Sequence, residues 1–139
     1  MSDNELNKLT EQIIGCAFRV SNVLGSGFLE KVYENALAHE IRKSGLMVAQ
    51  QHPISVRYDG IIIGDFFADL LVQNVVIVEL KAAKNLDESC LAQCLNYLKA
   101  TETPICLLLN FGTPRVDVKR IIADSRWKSE PRIAADEHG

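Results

Sequence analysis

Apolar residues recur every three or four positions through residues 4–23, where Leu6, Leu9, Ile13, Ala17, Val20 and the following Leu24 are separated by charges and amides. That spacing predicts an amphipathic helix. Gly25-Ser26-Gly27 breaks it, and helical periodicity resumes over 28–44 through Leu29, Val32, Tyr33, Ala36, Leu37 and Ile41, with Gly45 as a C-cap. Two helices joined by a tight corner are expected. From Met47 the period becomes that of a strand: residues 48–51, an interruption at Pro53, then Ile54, Val56 and Tyr58 alternating with polar neighbours up to Asp59-Gly60, a hairpin signal. Residues 61–72 and 76–80 are nearly continuous apolar runs, the pattern of strands covered on both faces at the middle of a sheet.

Residues 86–100 return to helical spacing, with Leu91, Leu95 and Leu98 as the apolar stripe, and Pro104 marks the exit into a buried strand, Ile105–Asn110. A helix joining two strands of one sheet implies a right-handed crossover. Residues 116–122 read as a last short strand. The order helix, helix, three meandering strands, helix, strand, strand is most simply packed as an α/β sandwich, a central mixed β-sheet flanked by helices. Residues 1–123 form a single domain in this reading, and 124–139 a polar, mobile tail.

Composition narrows the function. With 47% hydrophobic and 24% charged residues, the 139-residue chain can bury a real core. Its net charge of -3 gives no general footprint of a phosphate binder. Arg115, Lys119, Arg120, Arg126, Lys128 and Arg132 nevertheless gather towards the C-terminus, as a solvated basic face or a phosphate-facing one. The N-terminus is polar and acidic and no apolar run could span a bilayer, so a cytoplasmic protein is expected. Cys16, Cys90, Cys94 and Cys106 lie in or beside apolar segments and read as reduced core cysteines. Cys90 and Cys94 share a helical face, but nothing nearby completes a zinc spacing.

Asp69, Glu79 and Lys81 sit inside the apolar strands. Glu79 and Lys81 point to the same side of one strand, since side chains alternate. Burying either ion alone costs several kcal/mol, so they must pair with each other, sit hydrated in a cleft, or meet a metal. Whether Asp69 joins them depends on hairpin register. A two-residue turn at Gln73-Asn74 sets Asp69 opposite Val78, on the wrong face. A three-residue loop, with Asn74 left-handed, pairs Val72 with Val76 and sets Asp69 opposite Glu79. We expect the latter. Two facing carboxylates then need a cation or a proton between them, and hard oxygen donors suit Mg²⁺ or Mn²⁺. A nearby lysine can orient or activate water and offset charge on a phosphate. An ordinary Glu79–Lys81 ion pair with a solvated Asp69 is the competing reading.

Asp69 followed by Glu79-Leu80-Lys81 resembles the signature of the PD-(D/E)XK nuclease superfamily. Gly27-Phe28-Leu29-Glu30-Lys31-Val32-Tyr33 resembles the motif of its GxxExxY branch. The similarity continues through YENALAHEIRKSG, Gln51-His52-Pro53, ADLLV, VIVELKA, AQCLNYL and LLLNFG, about residues 10–122. The resemblance implies a restriction-endonuclease-like core with Asp69, Glu79 and the Leu80 carbonyl as metal ligands, Lys81 as base or water orienter, and Glu30 as an additional catalytic and metal-site acid. Tyr33 shares a helical face with Glu30, and the pair could look into the same cleft, although a surface Glu30 beside Lys31 is equally ordinary. Gln93 and Tyr97, four apart on one face, resemble a Q…Y pair at the edge of related sites and are candidate substrate contacts. The chain departs from the pattern in having Phe66-Phe67 where a basic residue is usual, in a second acid, Asp65, four residues before Asp69, and in lacking the Pro of the name.

A Mg²⁺- or Mn²⁺-dependent nuclease acting on DNA or RNA is thus the leading expectation. The alternative is a catalytically inactive nuclease-fold module that binds nucleic acid or a protein partner, a homodimer included. No Ser/His/Asp set, phosphate loop or cofactor fingerprint points elsewhere.

Overall fold

A computed structural model describes residues 1–123. Its elements are α1 (Asp3–Leu24), α2 (Glu30–Lys43), β1 (Val48–Tyr58), β2 (Ile61–Val72), β3 (Val76–Lys81), α3 (Glu88–Thr101), β4 (Ile105–Asn110) and β5 (Asp117–Ile122). Helix α1 starts on a capping box, with Ser2 accepting from the Glu5 amide and Glu5 reaching back. The expectation of a mobile tail and the cations Arg126, Lys128 and Arg132 lie outside the described residues.

The five strands form one mixed sheet in the order β1-β2-β3-β4-β5, antiparallel except for the parallel β3–β4 pair that α3 connects. The two faces carry separate cores. Ile13, Val20, Tyr33, Leu37 and Ile41 from α1 and α2 pack on Leu70, Val78, Leu80, Leu107 and Leu109. On the other face Cys94, Tyr97 and Leu98 of α3 pack on Ala68, Leu71, Ile77, Cys106 and Leu108. The expected mixed sheet flanked by helices is thus what the chain forms.

Three sequence expectations shift for physical reasons. Pro53 does not interrupt β1, because β1 is an edge strand and a proline's missing N–H costs an edge no ladder bond. The apolar run that opens β2 is not covered. Ile61, Ile62, Ile63 and Phe67 are exposed, because β3 pairs with β2 only from Leu70 to Val72, leaving the earlier half of β2 in a two-stranded ribbon with β1. On α3 the buried face is Cys94, Tyr97, Leu98 and Ala100, whereas Leu91 is exposed and Leu95 half-buried. A leucine stripe misread that face because cysteine and tyrosine carry the packing.

Candidate active site

Asp59 and Gly60 both adopt positive φ at the ribbon tip, as a type I′ turn requires. The next turn sets the site. Gln73 and Asn74 are both left-handed, the Val75 amide donates to the Val72 carbonyl at 3.0 Å, and Val72 pairs with Val76. This is the three-residue register, which carries Asp69 to Glu79.

Regular pairing between β2 and β3 ends at Leu70↔Val78, and side chains take over. The Asp69 amide donates to Glu79 Oε1 at 3.2 Å, and the Leu80 amide donates to Asp69 Oδ2 at 2.9 Å. Alternation also slips here. Ala68 and Leu71 both pack on the α3 side although they are three positions apart, so the alternation of faces breaks once across Asp69-Leu70. The opposing strand answers with Gln51 at φ 51°, where the Gln51–Asp69 pair is missing from a register that is unchanged between Gln50↔Leu70 and His52↔Ala68.

That left-handed residue has a consequence. A regular strand sends neighbouring side chains to opposite faces. Here Gln50 and Gln51 both reach Glu34 on α2, at 2.8 Å to Oε2 and Oε1 respectively. Gln51 Nε2 also donates to Asp69 Oδ1 at 3.2 Å. Glu34 is only 4% exposed and is closed by Lys31 Nζ at 3.0 Å. A hydrogen-bonded path therefore runs from α2 to Asp69 through Gln51, which the sequence did not reveal because strand alternation argued against it.

Glu79 is 4% exposed. Burial, then the neighbouring Asp69 charge, pushes its carboxyl up to about 9. Two acids in one dry seam hold a proton unless a cation replaces it. Among the described residues no ion pair joins Glu79 to Lys81, so the ordinary salt-bridge reading is not what forms. Lys81 is half-buried at the end of β3. The Cys94 thiol, lowered first by its hydrogen bond with Cys106, also feels the Lys81 charge and that of Asp69.

The segment after Lys81 is tied down. The Phe111 amide donates to the Lys81 carbonyl at 2.8 Å. Asn110, 1% exposed, donates to the Ala83 carbonyl at 2.8 Å and accepts from the Ala83 and Gly112 amides at 3.1 and 3.0 Å. A Cβ on Gly112 would fall 2.2 Å from the Ala83 carbonyl oxygen. Asn110 and Gly112 are thus supports of the site that sequence reasoning quoted only as resemblance. An asparagine ending an apolar strand, directly after the buried run, was the available signal.

The remaining candidates separate. Glu30 opens α2, exposed, and among the described residues no set of three or more His, Cys, Asp or Glu side chains is grouped to hold an ion. Asp65 accepts from Ser55 Oγ at 3.1 Å in the exposed part of the ribbon. Tyr33 is a correction as a substrate contact. It is fully buried, its hydroxyl donates to the Gly25 carbonyl at 2.6 Å and accepts from the Phe28 amide at 3.2 Å, and its ring stacks on Phe111 at 4.7 Å. It fastens the corner between α1 and α2. Gln93 and Tyr97 stay together, Gln93 Nε2 donating to the Tyr97 hydroxyl at 2.7 Å. Burial, then the Glu79 and Asp69 charges, raises the Tyr97 phenol above its usual range, so it remains a neutral neighbour of the carboxylates.

The donors fit a hard divalent cation. Two carboxylates and the intervening Leu80 carbonyl offer oxygen only, and a small set of protein ligands suits an ion that keeps waters and takes a phosphate oxygen.

Comparison with curated proteins gives no match. A solved alkaline exonuclease from Laribacter hongkongensis is similar over 81% of this chain and 79% of its own, at 15% identity and a TM-score of 0.47. The sequence model of the PD-(D/E)XK nuclease superfamily, whose members generally depend on a divalent metal, matches residues 7–121. That match covers most of α1, all of α2 and α3, the sheet to within one residue of the end of β5 and the Asp69–Lys81 seam, and the chain belongs to the PD-(D/E)XK nuclease superfamily.

Proposed function

We propose that this chain is a Mg²⁺- or Mn²⁺-dependent nuclease hydrolysing phosphodiester bonds in DNA or RNA, of the GxxExxY branch marked by Gly27, Glu30 and Tyr33. The observation that carries the reading is the meeting of Asp69 and Glu79 where side chains replace the β2–β3 ladder. Asp69, Glu79 and the Leu80 carbonyl would hold the ion. When bound, it would polarise the scissile phosphate and lower the pKa of a water. Lys81 orients that water and offsets charge on the phosphate. Gln93 and Tyr97 form the substrate-facing wall. For the additional acid that the motif suggests at Glu30, the hydrogen bonds favour Glu34, whose contact through Gln51 reaches Asp69.

The deciding experiment is cleavage of labelled single- and double-stranded DNA and RNA with Mg²⁺, Mn²⁺ or EDTA, wild type against Lys81→Ala. Metal-dependent cleavage lost in the variant is expected. Salt-sensitive binding without turnover, indifferent to Lys81→Ala, would transfer the assignment to a non-catalytic binding module.

We further propose that the chain acts as a homodimer joined through the β1–β2 ribbon. Tyr58, Ile61, Ile62, Ile63 and Phe67 are each half to two-thirds exposed there. Arg57, Asp59 and Asp65 give the ribbon little net charge, which suits a second copy better than a phosphate backbone.

A further inference from the structure

The groove between α3 and the β1–β2 ribbon encloses a cavity of about 670 Å³, within the range of small-ligand sites. Its walls differ in chemistry from the carboxylate seam. Val56 and Phe66 line it from the ribbon, and Ala92, Gln93, Asn96 and Tyr97 from α3. The space exists because α3 presents small residues there, Ser89, Ala92 and Ala100, about one and two turns apart. Lys99 is the one charged residue of this lining.

Phosphate would find little to hold it, whereas a planar heteroaromatic ring meets what it needs. Phe66 stacks on Tyr97 with centroids 4.3 Å apart and planes 12° from parallel, giving an aromatic floor that is already ordered. Gln93 donates to the Tyr97 hydroxyl, which leaves its amide oxygen to accept, and Asn96 is exposed on the same wall. Amide side chains match base edges because each carries a donor and an acceptor in one plane. Tyr97 belongs to both regions. Its ring bounds the cavity, and its phenol feels the charges of Glu79 and Asp69.

We propose that this cavity receives an unpaired base of the nucleotide beside the scissile phosphate, which makes single-stranded or frayed nucleic acid the substrate class. The proposal rests on the nuclease reading of the adjacent seam. A base within a duplex has its faces stacked and its pairing edge engaged, and would have to leave the helix to enter. Phe66 and Asn96, which no motif marked, become substrate-contacting residues.

The test reads binding, separately from cleavage. Dissociation constants are measured by anisotropy in EDTA for a short labelled single strand, for the same strand with one abasic site moved position by position, and for its duplex. Wild type is compared with Asn96→Ala and with Ala92→Trp, which fills the cavity from an exposed helical position; melting temperatures confirm that both fold. Base–aromatic stacking should make the intact strand bind about tenfold to a hundredfold more tightly than the strand lacking the base at one position. Ala92→Trp should erase that difference, and Asn96→Ala should reduce it. Equal binding of intact strand, abasic strands and duplex by wild type overturns the pocket, whatever the protein cleaves. A preference for the intact strand that survives Ala92→Trp overturns it as well. Failure of the nuclease reading would appear elsewhere, as loss of metal-dependent cleavage with the base preference intact.

Discussion

Glu79 is where one side chain makes folding and chemistry oppose each other. Its folded-state carboxyl, raised to about 9 from an ordinary 4.5, retains a proton that the unfolded chain releases across that interval. The folded state binds more protons there, so stability falls as pH rises from about 4.5 to about 9, and is independent of this group outside the window. Glu79→Gln imitates the protonated form at every pH. Without metal it should melt about 5–10 °C above wild type at pH 9 and close to wild type near pH 5, while cleaving nothing. Thermal scans at both pH values check this; a wild-type advantage at pH 9 would contradict it. The same proton governs the cation, since a ligand carboxyl must lose it to coordinate. Metal affinity should therefore climb up to about tenfold per pH unit towards pH 9, and calorimetry in two buffers of different ionisation enthalpy should show a proton released on binding.

At the scale of elements, the site depends on two anchored strand ends. The loop after β3 is held by Asn110, which serves three backbone groups of the chain around Ala83 and Gly112. Asn110→Ala leaves those part-buried groups without their partners and should cost about 1–3 kcal/mol of stability. It should also lower kcat at least tenfold with KM little changed, because Lys81 then lies on an unfastened strand end; a variant less stable but fully active would make Asn110 structural only. Part of this architecture was legible beforehand. Hairpin register followed from Asn74 and from the face that each acid had to occupy, so Asp69 meeting Glu79 could be argued from the chain. The ribbon's exposure was not legible, because an apolar run looks the same whether β3 covers it or ends short of it. Glu34 stayed hidden for another reason: only a left-handed Gln51 lets two consecutive glutamines reach one helix, and strand alternation describes the regular case.

For the whole molecule, the balance between one copy and two is the measurable quantity. Replacing Ile62 and Ile63 with Lys removes the apolar centre of the ribbon from any pair without touching either core. Sedimentation or light scattering should show wild type as a dimer and the double variant as a monomer with an unchanged melting temperature. A wild-type monomer at tens of micromolar would remove the dimer proposal. The carboxylate seam lies between β2 and β3, beyond the exposed half of the ribbon, so Asp69 and Glu79 should bind metal equally in both forms.

Gly112 finally tells how freely the chain can vary. Gly25, Gly27, Gly45 and Gly60 stand in open space, and only their positive φ favours glycine; asparagine or aspartate should often survive at Gly60 in the left-handed turn, whereas Gly25, at φ 65° and ψ -166°, occupies backbone open to glycine alone. Gly112 has no such conformational demand, yet Ala83 backbone fills the place of any side chain. In a library carrying every amino acid at each position, residue 112 should return glycine alone. Gly60 should return a small mixture, so selection among functional clones would separate a position limited by backbone twist from the one limited by volume.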